Sequence, residues 1–332
     1  MNTGPSIFNE TLPTHTVVGG KERLASSGIS AILLNRGSGV YSRKACIVSL
    51  QEQGFDYIIS VENPGEHYEL EQLSGLFPFV RFIILKENVS VGQMINIAVD
   101  EIKSPLFFVL WNDLHLMQGL SNSRISEKLL SLSSQSDPQN KKDPCKDWYM
   151  RLCTIPVIQN TAFETLPTSF RAEIRHKKLE TIPFIPSKEG ESTLFPFDAV
   201  GIYNKEKFLK LGGFDPSIKS TYWQVMDFGL RSWLWGEDLR STQLVRLRLD
   251  GEFTAGDTTI DESYWFFFLK NLAPRVKQTA SIPHNYFFQY VFKTGKSIVQ
   301  AYKEFKAARK WVKSNSKSFK YDAAFIEHLL YN

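Results

Sequence analysis

The sequence predicts an α/β fold, a parallel-type sheet covered by helices on both faces, followed by a mostly helical C-terminal part. Two observations carry that expectation. Between Ile29 and Trp111, short apolar runs alternate with segments of helical period. The runs are continuously apolar, which is the pattern of strands buried on both faces.

Residues 1–27 are polar, with little periodicity, and are expected to form a flexible arm. "ISAILLN" (29–35) is the first strand and ends in the turn "NRGSG". "YSRKACIVSLQEQG" (41–54) places Ala45, Val48 and Cys46/Ser49 at helical spacing and stops at Gly54. "FDYIISVEN" (55–63) is strand-like up to the Pro64-Gly65 break, and "FVRFIILKEN" (79–88) is the next strand. "SVGQMINIAVDEIK" (90–103) sets Met94, Ile97/Ala98 and Ile102 on one helix face, ending before Ser104-Pro105. "LFFVLW" (106–111) is a strand that stops abruptly at Asn112-Asp113. Residues 118–147 read as a helix followed by a loop, and 148–160 as a strand. Prolines and charges make 161–193 look irregular. Residues 194–218 give a strand, a short helix and a turn. "TYWQVMDFGLRSWLWGED" (221–238) is an amphipathic helix closed by Gly236, and "LVRLRL" (244–249) is a strand. In a parallel sheet, ligands sit beyond the carboxyl ends of the strands. Asn35, Glu62 and Asn112-Asp113 all fall there.

The 332 residues, 42% of them hydrophobic, suffice for one large domain or two modest ones. No apolar run approaches the roughly 20 residues that cross a bilayer. The N-terminus lacks a basic-then-apolar signal pattern, so no secretion is expected. Cys46, Cys145 and Cys153 are odd in number and form no close pair, which suits reduced cytosolic thiols better than a disulfide frame or a zinc site. The net charge of +4 is unevenly spread. From Lys293 to Lys320 there are nine Lys/Arg and one acid, Glu304. Within that tail, Ile298, Tyr302, Phe305, Ala308 and Val312 form one helical stripe. Either the stripe packs on the domain and leaves a solvated basic face, or 293–320 makes peripheral contact with an anionic membrane. Nucleic acid is not expected, because no recognised motif accompanies the charge.

Three pieces bear on chemistry. Asp113, at the mouth of the crevice, is a candidate oxygen ligand for Mg2+ or Mn2+ bridging to substrate phosphates, with His115 as a second ligand. Its competing reading is a turn or N-cap residue. Gly37-Ser38-Gly39 with Glu62 about twenty residues on mimics a dinucleotide fingerprint, but Ser42 stands where the third glycine belongs. Asp227 and Arg231 are four apart on one helix and can pair. Finally, "DGEFTAGDTTIDESYW" (250–265) is rich in acids and reads equally as a wall of the crevice or as a surface loop.

Taken in order, these pieces resemble a family-two glycosyltransferase of the GT-A fold: "AILLN", a strand ending in "VEN", "NVSVGQMIN", a strand ending in "WND", the turn Gly212-Gly213-Phe214-Asp215, and "DFGLRSWLWGE". The likeness covers roughly residues 28–240. It implies a Rossmann-like mixed sheet flanked by helices. A GT-A domain would span 28–250, with 28–115 as its nucleotide half and 116–250 as its acceptor half, and a helical extension would occupy 251–332. By position, the resemblance puts Asn35 and Glu62 at the nucleobase or ribose, and Asn96 and Asn112 on the donor side. Asp113 would hold the metal on the diphosphate, and Gly213, Phe214 and Asp215 would shape the acceptor side. The family's Glu-Asp, source of its general base, is Gln224-Val225 here, and the first Asp of its Asp-x-Asp turn is Trp111. Asp227 or Asp215 is then the candidate base. The implied function is metal-dependent, inverting transfer from a nucleoside-diphosphate sugar to a glycan or lipid-linked acceptor in cell-envelope polysaccharide synthesis. The expected location is the cytoplasm or the inner face of the membrane. The rivals are a non-catalytic sugar-nucleotide or glycan-binding module and, more distantly, an NAD-dependent oxidoreductase or a nucleotidyltransferase.

Overall fold

The computed structural model describes residues 12–20, 28–36, 40–55, 57–65, 70–117, 151–175 and 178–331. The strands in chain order begin with β1 (His15–Gly19), β2 (Ile29–Leu34), β3 (Ile58–Glu62), β4 (Val80–Leu85), β5 (Leu106–Trp111) and β6 (Leu114–Leu116). β7 (Cys153–Gln159), β8 (Ser169–Arg175), β9 (Lys178–Phe184), β10 (Gly201–Asn204) and β11 (Leu239–Leu249) follow. All but β8 and β9 join one mixed sheet in the order β1-β4-β3-β2-β5-β10-β7-β11-β6. Its centre is parallel: β4, β3, β2 and β5 run the same way. β10 is antiparallel to both β5 and β7.

Every residue of β2, β3 and β5 is buried. Continuous apolar composition and burial on both faces agree, and that is why these three strands are readable from sequence. Their registers align Leu34 with both Val61 and Trp111. The residues just past these ends therefore converge on one edge of the sheet.

Helices α1 (Val40–Glu52), α2 (Leu70–Leu76) and α3 (Val91–Glu101) connect the parallel strands. Ser90 caps α3, accepting from the Gln93 amide, while Gln93 reaches back to the Ser90 amide. Further on come α4 (Lys205–Leu211) and α5 (Thr221–Leu234). The C-terminal part holds α6 (Glu262–Phe267), which runs into a π-turn at Phe268–Leu272, then α7 (Tyr286–Thr294), α8 (Ile298–Ser314) and α9 (Ile326–Tyr331).

α5 is buried from Trp223 to Leu234, its polar residues Gln224, Asp227, Arg231 and Ser232 included. Its Phe228 stacks on Phe214 at 4.5 Å between ring centroids, and Tyr203 of β10 stacks on Phe107 of β5 at 5.1 Å. These rings bind helix to sheet with large apolar contact area.

Several expectations need correction. The N-terminal arm is not loose throughout, because His15–Gly19 pairs antiparallel with Leu85–Arg81 as an edge strand. It is half exposed, so its side chains carry no strong period-two signal. A short helix, α2, separates β3 from β4 and buries only Leu70 and Leu73. Within 161–193, Ser169–Arg175 and Lys178–Phe184 form a regular two-stranded ribbon. The helix and loop expected over 118–147 lie outside the described residues.

Gly229 lets α5 dock. A Cβ there would stand 2.3 Å from the Leu194 carbonyl oxygen and 2.5 Å from Phe195 Cβ. Backbone cannot yield as a flexible side chain can. Gly229→Ala is expected to destabilise the protein by about 3 kcal/mol in urea unfolding, at the upper end for core overpacking.

Candidate functional site

The ends of β2, β3 and β5 are laced together by amides. Asn35 is buried; its Nδ2 donates to the Val61 carbonyl at 2.9 Å and to Ser60 Oγ at 3.3 Å. Its Oδ1 has no partner among the described residues. Asn112 accepts from the Arg36 amide at 3.0 Å, and its own amide donates to the Leu34 carbonyl at 2.9 Å. Glu62 does not face this edge. It is fully buried, ion-paired with Arg43 of α1, and accepts from Ser60 Oγ at 2.6 Å. A role at the nucleobase or ribose would require breaking that pair, which buried charges resist. The same pairing takes Glu62 out of the dinucleotide reading, whose glycines at 37–39 lie outside the described residues.

Just beyond β5 sits a cluster built around Arg36. Its Nε is 2.9 Å from Asp113 Oδ2, and its Nη1 donates to Asp198 Oδ2 at 2.9 Å. The guanidinium lies over the Trp111 ring, 4.5 Å from the centroid. Trp111 Nε1 donates to the Asp198 carbonyl at 3.0 Å. Asp198 and Ala199 occupy the left-handed region, at φ 49° and 59°, unusual for residues with a side chain. Tyr203 Oη, donating to the Ala199 carbonyl at 2.7 Å, helps hold this bend. Strain of order 1–3 kcal/mol per such residue clusters at ligand sites.

His115 Nε2 lies 3.0 Å from Asp250 Oδ2, and the Asp250 amide donates to the Asp113 carbonyl at 2.9 Å. The donor set can be tested for a divalent cation. Asp113 Oδ1 is buried without a hydrogen-bond partner among the described residues. No group of three His, Cys, Asp or Glu side chains converges to hold a metal among those residues. The arrangement therefore does not form a closed protein cage. It does fit a cation that takes one carboxylate from the protein and the rest of its shell from phosphates and water, as Mg2+ commonly does.

A cavity of about 830 Å³ opens beside Arg36, Trp111 and Asp198. One side is aromatic: Phe170, Phe195, Phe197, Tyr222 and Phe253 line it. Phe170 stacks on Phe195 at 4.2 Å. The other side is the loop Thr254–Asp261, whose threonines and acids face the same space. Val225 lines it as well, at the position where the resemblance expects a carboxylate.

Asp215 and Asp227 are not among the lining residues; they form a buried polar knot. Asp227 Oδ2 accepts from Arg231 Nε at 3.2 Å and Nη2 at 2.8 Å, and its Oδ1 accepts from Asn271 Nδ2 at 2.7 Å. Arg231 also donates to the Leu211 and Gly213 carbonyls at 2.6 and 2.9 Å. Asp215 pairs with Lys270 and accepts from the Ser217 amide and hydroxyl at 2.9 and 2.7 Å. Asn96 clamps Phe214, accepting from its amide at 3.0 Å and donating to its carbonyl at 2.7 Å. Gln224 accepts from the Gly92 amide at 2.8 Å and donates to the Asp215 carbonyl at 2.7 Å. A Cβ on Gly92 would lie 2.3 Å from Phe214 Cβ, so this approach needs glycine. Asn96, Asp215 and Asp227 thus hold the turn and the helix together and do not touch the cavity.

Sequence reasoning missed Arg36 and Asp198 because the two meet across 162 residues. It also missed the aromatic wall, whose members carry no motif. The acidic loop 250–265 gave the one usable signal, and part of it lines the cavity.

No protein-family model and no curated protein matches the chain. Solved structures do. GalNAc-T7, crystallised with UDP, GalNAc and Mn2+, superposes with a TM-score of 0.56 at 12% identity, over 87% of this chain and 56% of that one. S. aureus TarS 1-349, in complex with UDP-GlcNAc, gives a TM-score of 0.49 at 9% identity, over 90% of this chain and 75% of that one. The chain thus spans little more than half of the GalNAc-T7 structure it matches. At such identity the likeness is one of fold: a mixed sheet flanked by helices, as in the GT-A glycosyltransferases.

The buried knot makes stability depend on pH. Burial alone would push the Asp215 carboxyl up, but the Lys270 ammonium and the Ser217 donors more than offset it and hold it below the ordinary value. In acid the unfolded chain therefore takes up this proton first, near pH ~3.9. The stabilisation is present above that pH and is lost as pH falls through the lower folded value. Urea midpoints measured from about pH 5 down to about pH 3 should drop more steeply for the wild type than for Asp215→Asn/Lys270→Met, which removes both charges together.

Proposed function

We propose that the chain is a glycosyltransferase of the family-two type, moving a sugar from a nucleoside-diphosphate donor to a glycan or lipid-linked acceptor. The observation that carries this reading is the cavity that runs from Arg36, Trp111 and Asp198 to an aromatic wall, on a GT-A sheet; Asp113 does not line it and reaches it through its pair with Arg36. Donor and acceptor need adjoining pockets of these two characters. A diphosphate needs cationic donors, and a sugar ring packs its C–H faces on aromatic rings.

On the donor side, Asn35 offers an unpaired buried acceptor to the nucleobase or ribose, and Asn112 fixes the Arg36 backbone beside it. The Arg36 guanidinium, engaged by Asp113 through Nε and by Asp198 through Nη1, has Nη2 left for a phosphate oxygen. A Mg2+ or Mn2+ ion bound at Asp113, with His115 close by in sequence, would neutralise charge developing on the departing diphosphate. Arg36 serves the same end through the phosphates it orients.

Inverting transfer also needs a carboxylate to take the acceptor's proton. Asp215 and Asp227 are committed to buried ion pairs, and Val225 has no proton-accepting group. The cavity's own acids are Asp198, Asp257 and Asp261. Asp198 is held by Arg36, and Asp261 caps α6 by accepting from the Tyr264 amide. Asp257 remains. Its loop packs on α5 just before Val225: Trp223 Nε1 donates to the Thr259 carbonyl at 2.7 Å. Thr259, through its hydroxyl and its amide, holds the Asp257 carboxyl below its ordinary value, which keeps it ionised but lowers its basicity, so the assignment rests on its place in the cavity lining. We assign it as the base.

Val225 favours a second reading, in which the chain binds a sugar nucleotide or glycan without turnover. Asp113→Ala is expected to weaken metal-dependent binding of a nucleoside diphosphate at least about ten-fold by calorimetry; unchanged binding removes Asp113 from the donor site. In a screen of UDP-, GDP- and dTDP-sugars, the enzyme reading predicts slow donor hydrolysis that Asp257→Asn lowers by about 100-fold or more while donor binding holds. Tight donor binding with no turnover in the wild type favours the binding module.

A further inference from the structure

We infer that the α7–α8 hairpin is a docking surface for an anionic lipid bilayer, a role independent of the transferase reading. Five large apolar side chains stand in solvent along it: Phe288, Phe292, Ile298, Val299 and Tyr302. Phe292 is 92% exposed and Phe288 72%, and they lie four apart on one face of α7. Isolated exposed apolar residues are ordinary, but a cluster at one tip marks an interaction site. The fold does not need these residues. α7 is fixed by buried Tyr290, and α8 by Ala301, Phe305, Ala308 and Val312.

The charge along α8, from the tip at Lys303 and Lys306 to Lys310 and Lys313 further down, selects the partner. At 100° per residue, Val299, Tyr302, Lys303, Lys306, Lys310 and Lys313 share the outward half of α8. All four lysines are exposed, and none pairs with a carboxylate among the described residues. Two acids lie nearby: Glu304 is taken up by Lys296 at 2.9 Å and by the Tyr290 hydroxyl, and the exposed Glu262 pairs with the same Lys296 at 3.1 Å. Apolar tips rimmed by unpaired lysines match the headgroup boundary of an anionic leaflet, where rings insert and lysines meet phosphates. A second copy fits poorly, because a two-fold contact would set one basic rim against another. No described helix is long and apolar enough to cross a membrane, so the contact is peripheral.

Flotation of the full chain with phosphatidylcholine vesicles, with and without about one-third phosphatidylglycerol, tests this. The wild type is expected to float with the anionic vesicles and not with the neutral ones. Phe288→Ser/Phe292→Ser and Lys303→Glu/Lys306→Glu should each reduce the floated fraction by about ten-fold, and about 0.5 M salt should weaken the wild type. All four positions are exposed, so thermal melts should be unchanged and a loss of flotation cannot be read as unfolding. The inference fails if the wild type stays with the soluble fraction, or if both variants float as well as it does. It also fails if gel filtration shows a dimer that the phenylalanine substitutions dissolve while vesicles capture nothing. Nucleoside-diphosphate binding, measured on the same samples, reports on the donor site separately.

Discussion

The architecture depends on one buried charge arrangement, the Asp227–Arg231 pair with its neighbour Lys270–Asp215. Arg231 and Asp227 have fully buried side chains, and those of Lys270 and Asp215 are nearly so. Burying four ionised groups is costly, and it is tolerated only because each one has a partner and spare hydrogen bonds are used up. Arg231 spends its remaining donors on the carbonyls that close α4 and open the Gly-Gly-Phe-Asp turn. Asn271 and Lys270 come from the π-turn after α6, so the same knot fastens the C-terminal part to the sheet domain. Lys270 Nζ also lies 4.0 Å from the centroid of the Trp311 ring on α8, extending the tie to the basic helix.

This arrangement changes what two conspicuous motifs mean. The turn at 212–215 and the helix carrying Asp227 and Arg231 were legible in sequence, and both form as read. Their chemical role was not legible, because it is set by residues 44 and 55 positions further on. A carboxylate with two committed oxygens cannot be told from a free one until its partners are placed. Glu62 repeats the lesson: its strand end was read correctly, while Arg43, nineteen residues earlier, turns it inward.

Elements were legible in proportion to how completely they are buried. β2, β3 and β5 are apolar on both faces and could be read without reference to anything else. β1 borrows its stability from the edge of β4, and the β8–β9 ribbon carries a proline, Pro183, and several charges on a partly solvated excursion. Neither has a face buried deeply enough to imprint a period. The aromatic wall was invisible for a related reason: Phe170, Phe197 and Phe253 come from three separated segments, and only tertiary structure brings them together.

Buried pairing and exposure to the cavity fall on different parts of the chain. The motif-bearing acids stabilise, while the groups facing the cavity sit on turns and a loop: Arg36 after β2, Asp198 at a left-handed bend, and Asp257 on the segment over Tyr222 and Trp223. A strand end is fixed by hydrogen bonds on both sides, which suits the positioning of a diphosphate. A loop can be reshaped without disturbing the core, which suits recognition of an acceptor. α5 presents Val225 to the cavity and keeps its own acid, Asp227, buried and paired with Arg231, whereas the loop 254–261 puts carboxylates on the lining. That is the physical reason to seek the proton acceptor on 250–261 and not on the helix.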